Sequence, residues 1–242
     1  SGDGGGVATA SGTLLNCRIV ENTGSHGGGV AGGIGSIIGC TIADNVAVNG
    51  GGGFSEFNGT LSNCIITRNR QCAIYDGAVT MVHCTVVAND GAAIYSGGPH
   101  TVRNTILAHN YPYNVHLPYD GITFDHSCIE GGVRTMALYS DTVTWCDGNI
   151  FLEPGFAFGD DYHLLPGSPC IDAGVDSQVE TDCEGRARRL GGGPDIGAYE
   201  FPPDAPALAA SPPELTLRGT YGQPSSAPVV LMLRNAGGAN LV

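Results

Sequence analysis

The 242-residue sequence contains no lysine; its ten basic residues are all arginine. A lysine base, a lysine Schiff base and a phosphate loop built on lysine are therefore excluded. Charged residues make up only 14%, and the 23 acids leave a net charge of −13. That balance argues against nucleic acid and anionic membrane surfaces as partners. No apolar run approaches the ~20 residues of a membrane-spanning helix, so no direct membrane span is expected. There is no CxxC, HxH or HExxH spacing, so the usual zinc signatures are missing. Long helix-period runs are missing too.

What is present is a repeat. The first half reads GGGV…NCRIVEN, GGGV…GCTIADN, GGGF…NCIITRN, AIYD…HCTVVAN and AIYS…NTILAHN. A cysteine column falls at Cys17, Cys40, Cys64 and Cys84, continuing to Thr105 and Cys128. An asparagine column follows at Asn22, Asn45, Asn69, Asn89 and Asn110, in steps of 23, 24, 20 and 21 residues. A fixed period in this range signals a solenoid. Short β-branched pieces cut by Gly and Asn make each repeat an all-β coil. The expected fold is a right-handed parallel β-helix solenoid with three short strands per coil and a rise of ~4.8 Å.

The columns then gain physical meaning. Alternation along Cys40-Thr41-Ile42 turns Cys and Ile inward, and cysteine suits a narrow interior. The Asn column is expected at the bends, bonding neighbouring backbone and tolerating left-handed conformation there. The glycine runs 27–29 and 50–53 are expected to let the chain turn sharply or take positive φ.

The regular coils are expected over residues 1–132. Residues 133–201 lose the period and are expected to form the last coils and a C-terminal cap over the open end. Residues 202–210 read as a Pro/Ala linker. Residues 211–242, with strand-like ELTLRG and APVVLMLRN, read as the opening strands of a truncated Ig-like domain. Ser1 falls in mid-repeat, and the chain is expected to be a piece of a longer protein.

Residues 148–201 carry a recognisable set of pieces. They are Gly148-Asn149-Ile150, Glu153-Pro154, Tyr162-His163-Leu164, Gly167-Ser168-Pro169, Ile171-Asp172-Ala173-Gly174, Thr181-Asp182, Gly185-Arg186 and Asp195-Ile196-Gly197-Ala198-Tyr199-Glu200. Together they resemble the C-terminal signature of choice-of-anchor Q domain proteins, bacterial secreted or surface proteins with a pectin-lyase-like right-handed β-helix. The upstream GGGV and Asn repeats also resemble those of polymorphic outer-membrane adhesins. The resemblance implies export, an extracellular or cell-surface location and an anchor outside this chain, and assigns no reaction. The chain departs from the family's Asp-Pro-Leu-Phe-like piece at 151–156, so no acid role is carried to Glu153.

Candidate ligand-binding residues follow from the register. Those flanking the Asn column, Asp44, Arg68, Arg70, Asp90, His109 and Tyr111, are expected along one edge. Tyr75 and Tyr95, with His116, are expected as an outward aromatic stripe, since the isoleucines before the tyrosines point inward. Both sets read either as a surface for a polysaccharide or a host or surface glycan, or as plain structure. Arg68, Arg70 and Arg103 are the candidate bases if the chain is a polysaccharide lyase. Such an enzyme also needs clustered carboxylates for Ca²⁺, and the repeats offer none. No cofactor is expected; calcium is the ion these loops could hold, at Asp172, Asp182 and Asp195, and the dispersed histidines argue against a zinc site. Those acids read equally as turn caps. Arg186 is expected to pair with Asp172 or Asp195. Cys170 and Cys183 are the expected disulfide, the column cysteines remaining thiols. Three readings stay open: a non-catalytic exported module binding glycans or mediating adhesion, a carbohydrate-active enzyme, and a structural spacer.

Overall fold

The computed structural model describes residues 4–118, 121–139, 143–202, 208–211 and 232–235. Residues up to Phe201 form one compact unit, and those from Pro202 a second.

The first unit is a parallel β-solenoid. A middle coil shows the pattern: Val79–Val82, a bend, Thr85–Val87, a bend, then Ile94–Tyr95. The middle strands stack into a parallel six-stranded sheet running from Arg18–Val20 to Cys128–Ile129. The flanking strands build a larger sheet of thirteen, joined through the long strands Val30–Ile38 and Val46–Ser55.

Each side sends one column of side chains into the core. On the six-stranded sheet it is Ile19, Ile42, Ile66, Val86, Leu107 and Ile129, in register throughout. A second column is Ile37, Leu61, Met81, Val102 and Phe124. A third is Phe54, Ile74, Ile94 and Val115. All lie in one buried cluster. Each such side chain contributes up to about 1.5–3 kcal/mol, which lets a chain this rich in glycine hold a fold.

The bends explain both polar columns. The Cys40 thiol accepts the Cys17 N–H at 3.3 Å and donates to the Ile38 carbonyl at 3.3 Å. Cys84 N–H donates to the Thr105 hydroxyl at 3.1 Å, and Thr105 N–H to the Ser127 hydroxyl at 3.3 Å. The column therefore continues through Ser127, not Cys128 as expected; Cys128 pairs in register with Ile106, one residue on. What the position requires is a side chain that can both donate and accept: one coil on, Asn149 Oδ1 accepts the Ser127 N–H at 3.0 Å and its Nδ2 donates to the Phe124 carbonyl at 3.1 Å.

The Asn column is a ladder. Each Oδ1 from Asn45 to Asn110 accepts the backbone N–H and Nδ2 of the Asn one coil earlier. The left-handed residue is not the Asn but the one before it: Glu21, Asp44, Arg68, Ala88 and His109 all have φ between 51° and 58°. The glycine runs serve close approach more than positive φ. A Cβ on Gly52 would stand 2.1 Å from the Arg70 carbonyl oxygen; only Gly50 of that run has a left-handed φ, 109°.

Residues 153–201 do not sit where the expected end cap would lie. They run along the flank of the middle coils, over the outer face of the six-stranded sheet. Thr67 meets the Tyr162 hydroxyl at 2.7 Å, Ala198 N–H donates to Thr85 Oγ1 at 3.0 Å, and Asn104 Nδ2 donates to the Val175 carbonyl at 2.6 Å. Val87, Ile106, Ala108 and Cys128 form a second buried cluster with Tyr162, Leu164, Cys170 and Ile196. Covering both faces of these strands is why IIT, TVV and ILA read as continuous neutral runs.

The cover is pinned by Arg188 and not by Arg186. Arg188 is 4% exposed and pairs with Glu200, 1% exposed, at 3.0 Å. Arg186 is half exposed and pairs with Glu184 and, at 3.7 Å, with Asp182. It reaches neither Asp172 nor Asp195, because those carboxylates are taken up by backbone N–H groups. All nine cysteines are free thiols, and Cys170 packs with Cys128 in place of the expected Cys183.

In the second unit, Leu208–Ser211 and Met232–Asn235 form an antiparallel pair. The first begins inside the stretch read as a linker. The strand expected at ELTLRG lies outside the described residues.

Candidate functional site

The edge expected from the sequence divides into two rows on either side of the Asn ladder. Asp44, Arg68 and His109 precede the ladder residues; Arg70, Asp90 and Tyr111 follow them. The left-handed φ of the first row aims those side chains toward the 153–201 cover. Arg68 makes a bidentate pair with Asp44 at 2.8 and 2.7 Å and reaches Asp160 at 3.2 Å and the Tyr162 hydroxyl at 3.4 Å. The Arg68 guanidinium holds the Asp44 carboxyl below its usual range, and the same bonds push the Arg68 pKa up. An arginine so engaged is held as a cation. His109 faces Glu153 at 2.9 Å and Glu130 at 3.8 Å.

In the second row, Arg70, Asp90 and Tyr111 follow one another on adjacent coils, and Arg70 faces Asp90 at 3.7 Å with both well exposed. Arg103, the third candidate base, lies elsewhere. It pairs with Asp125 at 3.6 Å and donates to the Asp176 carbonyl at 2.9 Å. The three candidate arginines therefore do not converge on one point.

The aromatic stripe is present and longer than expected. Tyr75 and Tyr95 stack with centroids 5.2 Å apart and planes 10° apart. Tyr95 meets His116 at 4.4 Å, tilted by 53°, and His116 stacks on Tyr139 at 5.5 Å. Tyr139 was not expected from the sequence: the residue in register with His116 is Ala137, and Tyr139 lies two positions further on and meets the His116 ring from there. It is 73% exposed. Burial raises the Tyr75 phenol and lowers the His116 imidazole. Beside the stripe lies a pocket of about 220 Å³ lined by Tyr75, Asp76, Tyr95, Ser96, Gly97 and Pro118.

A second pocket, about 570 Å³, lies at the end of the stack against Val133, Arg134, Trp145, Asp147 and Phe151. Trp145 stacks on Phe124 at 4.9 Å and meets Phe151 edge-on at 5.1 Å. The repeat period is lost in this stretch, so no column marks the pocket in the sequence.

The calcium candidates have backbone partners. Asp182 accepts N–H bonds from Glu184, Arg186 and Glu200 at 2.8, 2.8 and 3.0 Å. Asp195 accepts from Asp172 at 2.8 Å and from Phe201 at 2.5 Å, and Asp172 from Gly193 at 3.1 Å. Among the described residues, the three-member group with metal-ligating atoms in mutual reach is His109, Glu130 and Glu153.

Compared with family models, with curated proteins and with solved structures, the chain matches none.

Proposed function

We propose that this chain is a non-catalytic, exported surface module that binds a glycan chain along the outer stripe of Tyr75, Tyr95, His116 and Tyr139. The observation that carries the reading is the repetition of that stripe on successive coils. Aromatic groups presented every ~4.8 Å offer a polymer the same contact at each coil. That rise is comparable to the length of one sugar residue in an extended chain. Phenolic hydroxyls meet sugar hydroxyls, and the exposed Tyr139 offers a ring face to sugar C–H groups. The neighbouring pocket adds the exposed Asp76 carboxylate as a polar partner.

The resemblance of 148–201 to choice-of-anchor Q domain proteins supports export, right-handed winding and display on an anchor. The lyase reading has less behind it, because Arg68 is committed to Asp44 and the candidate arginines lie apart. The spacer reading has one observation in its favour: the Tyr75 and Tyr95 faces stack on each other and so stabilise the coils themselves.

A glycan array, with a parallel assay for unsaturated uronate products, tests the three readings together. Binding to a defined polysaccharide without product supports the module. Product formation establishes the enzyme, and silence in both assays leaves the spacer.

A further inference from the structure

Three coils bring His109, Glu130 and Glu153 to one point on the solenoid edge. Their spacings, 21 and 23 residues, are those of the repeat. One ligand atom from each lies within 4.8 Å of the others. His109 Nε2 stands 2.9 Å from Glu153 Oε1 and 3.8 Å from Glu130 Oε2. Three ligands around a tetrahedral zinc at ~2.0–2.2 Å from the metal stand ~3.3 Å apart. The observed separations bracket that value.

The arrangement is built and not accidental to one mobile side chain. His109 has a left-handed backbone, φ 54°, fixed by its place before the Asn ladder. Its own N–H donates to Glu130 Oε2 at 2.8 Å, which orients that carboxylate. The ring is held edge-on by Phe156, centroids 6.1 Å apart. The three side chains are 43%, 31% and 56% exposed, so an ion can enter and further ligand positions stay open to water.

We propose that His109, Glu130 and Glu153 form a site for a first-row divalent ion of the zinc type. An imidazole with two carboxylates suits zinc, cobalt or nickel. Calcium takes six to eight oxygens and gains little from a nitrogen and two carboxylates. No sequence signature marks such a site, because its ligands are joined by the coil period and not by a short motif. The proposal is independent of the glycan reading, since the aromatic stripe shares no residue with it.

The test is calorimetric titration of the chelator-treated chain with Zn²⁺, with Co²⁺ absorption as a second readout of the ligand set. His109→Ala keeps the backbone, because Ala88 occupies the same column at φ 55°. Glu153→Gln is the second variant. His163→Ala is the control, since His163 sits in a separate group with Asp161 and Glu184. The expected result is one saturable zinc site, weakened about tenfold or more by His109→Ala or Glu153→Gln. His163→Ala leaves that site intact, and excess Ca²⁺ does not displace the zinc. The proposal is overturned by any of three results: no saturable binding, equal affinity in wild type and His109→Ala, or displacement by Ca²⁺.

Discussion

Arg188 Nη2 lies 2.5 Å from the Asn63 side-chain oxygen, across 125 residues of chain, while Nη1 pairs with Glu200. One guanidinium thus ties a bend of the solenoid to the far end of the segment that covers it. Removing it strands Glu200 in the interior. Arg188→Ala is expected to cost about 3–5 kcal/mol, read as a lower urea midpoint. Arg186→Ala, at an exposed pair, is expected to cost ~0–1 kcal/mol. Equal effects of the two would contradict the assignment of Arg188 as the pin.

The Asn ladder should be strongest in its middle. Asn69 Nδ2 donates to the Ile42 carbonyl at 2.9 Å and to Asn89 at 3.0 Å, while Oδ1 accepts from Asn45 N–H and Nδ2 at 3.1 and 3.0 Å. Asn69→Ala leaves these partners buried, each at a cost of about 1–3 kcal/mol where no water replaces the bond. Asn22→Ala, at the partly exposed start of the ladder, should cost clearly less. Urea denaturation of both variants checks the order, and a reversed order would count against the ladder as a stabilising element.

Acid should weaken the fold through two histidines. Burial pushes the His83 imidazole down to about 3 and that of His100 down to about 4. The unfolded chain takes up these protons near pH 6.5, the folded chain only far below. The contribution is complete above pH ~6.5 and is lost as pH falls toward 4. Glu200 acts in the opposite sense: burial pushes its carboxyl up to about 7 despite Arg188, so its ionisation opposes folding as pH rises from 4.5 to 7. The melting-temperature difference between pH 7 and pH 5 should therefore shrink in His100→Gln. An unchanged difference would mean that His100 is not buried as a neutral ring.

Thiol reactivity should separate the cysteines by place. Cys146 is exposed, whereas Cys40, Cys64, Cys84, Cys128 and Cys170 are buried. Burial pushes the Cys40 and Cys72 thiols up to about 11, and that of Cys183 up to about 12. Intact mass after brief alkylation at neutral pH should show Cys146 modified and the five buried thiols untouched until denaturant is added. Early labelling of Cys64 or Cys84 would show that the inner column is open to solvent.

The solenoid was legible in the sequence because its period is written twice, in the Cys and Asn columns. The misplacement of the first column at Cys128 came from following residue identity where the bend selects a donor-acceptor side chain, which Ser127 supplies. The position of 153–201 was not legible from its loss of period. The signal for it lay elsewhere, in Val87, Ile106 and Ala108, outward positions too apolar to face water. Tyr75, Tyr95 and His116 followed from simple alternation. Glu130 and Glu153 did not, since no short motif joins them to His109 and the column pattern fades after Asn110.

The most direct test of the glycan reading is affinity electrophoresis of the wild type and of Tyr75→Ala/Tyr95→Ala through gels containing neutral or acidic polysaccharides. Circular dichroism would confirm the β-solenoid in both. The account predicts that at least one polysaccharide retards the wild type and that the double variant runs as in an empty gel. Equal retardation of the two proteins, or no retardation of the wild type by any polysaccharide, would contradict it.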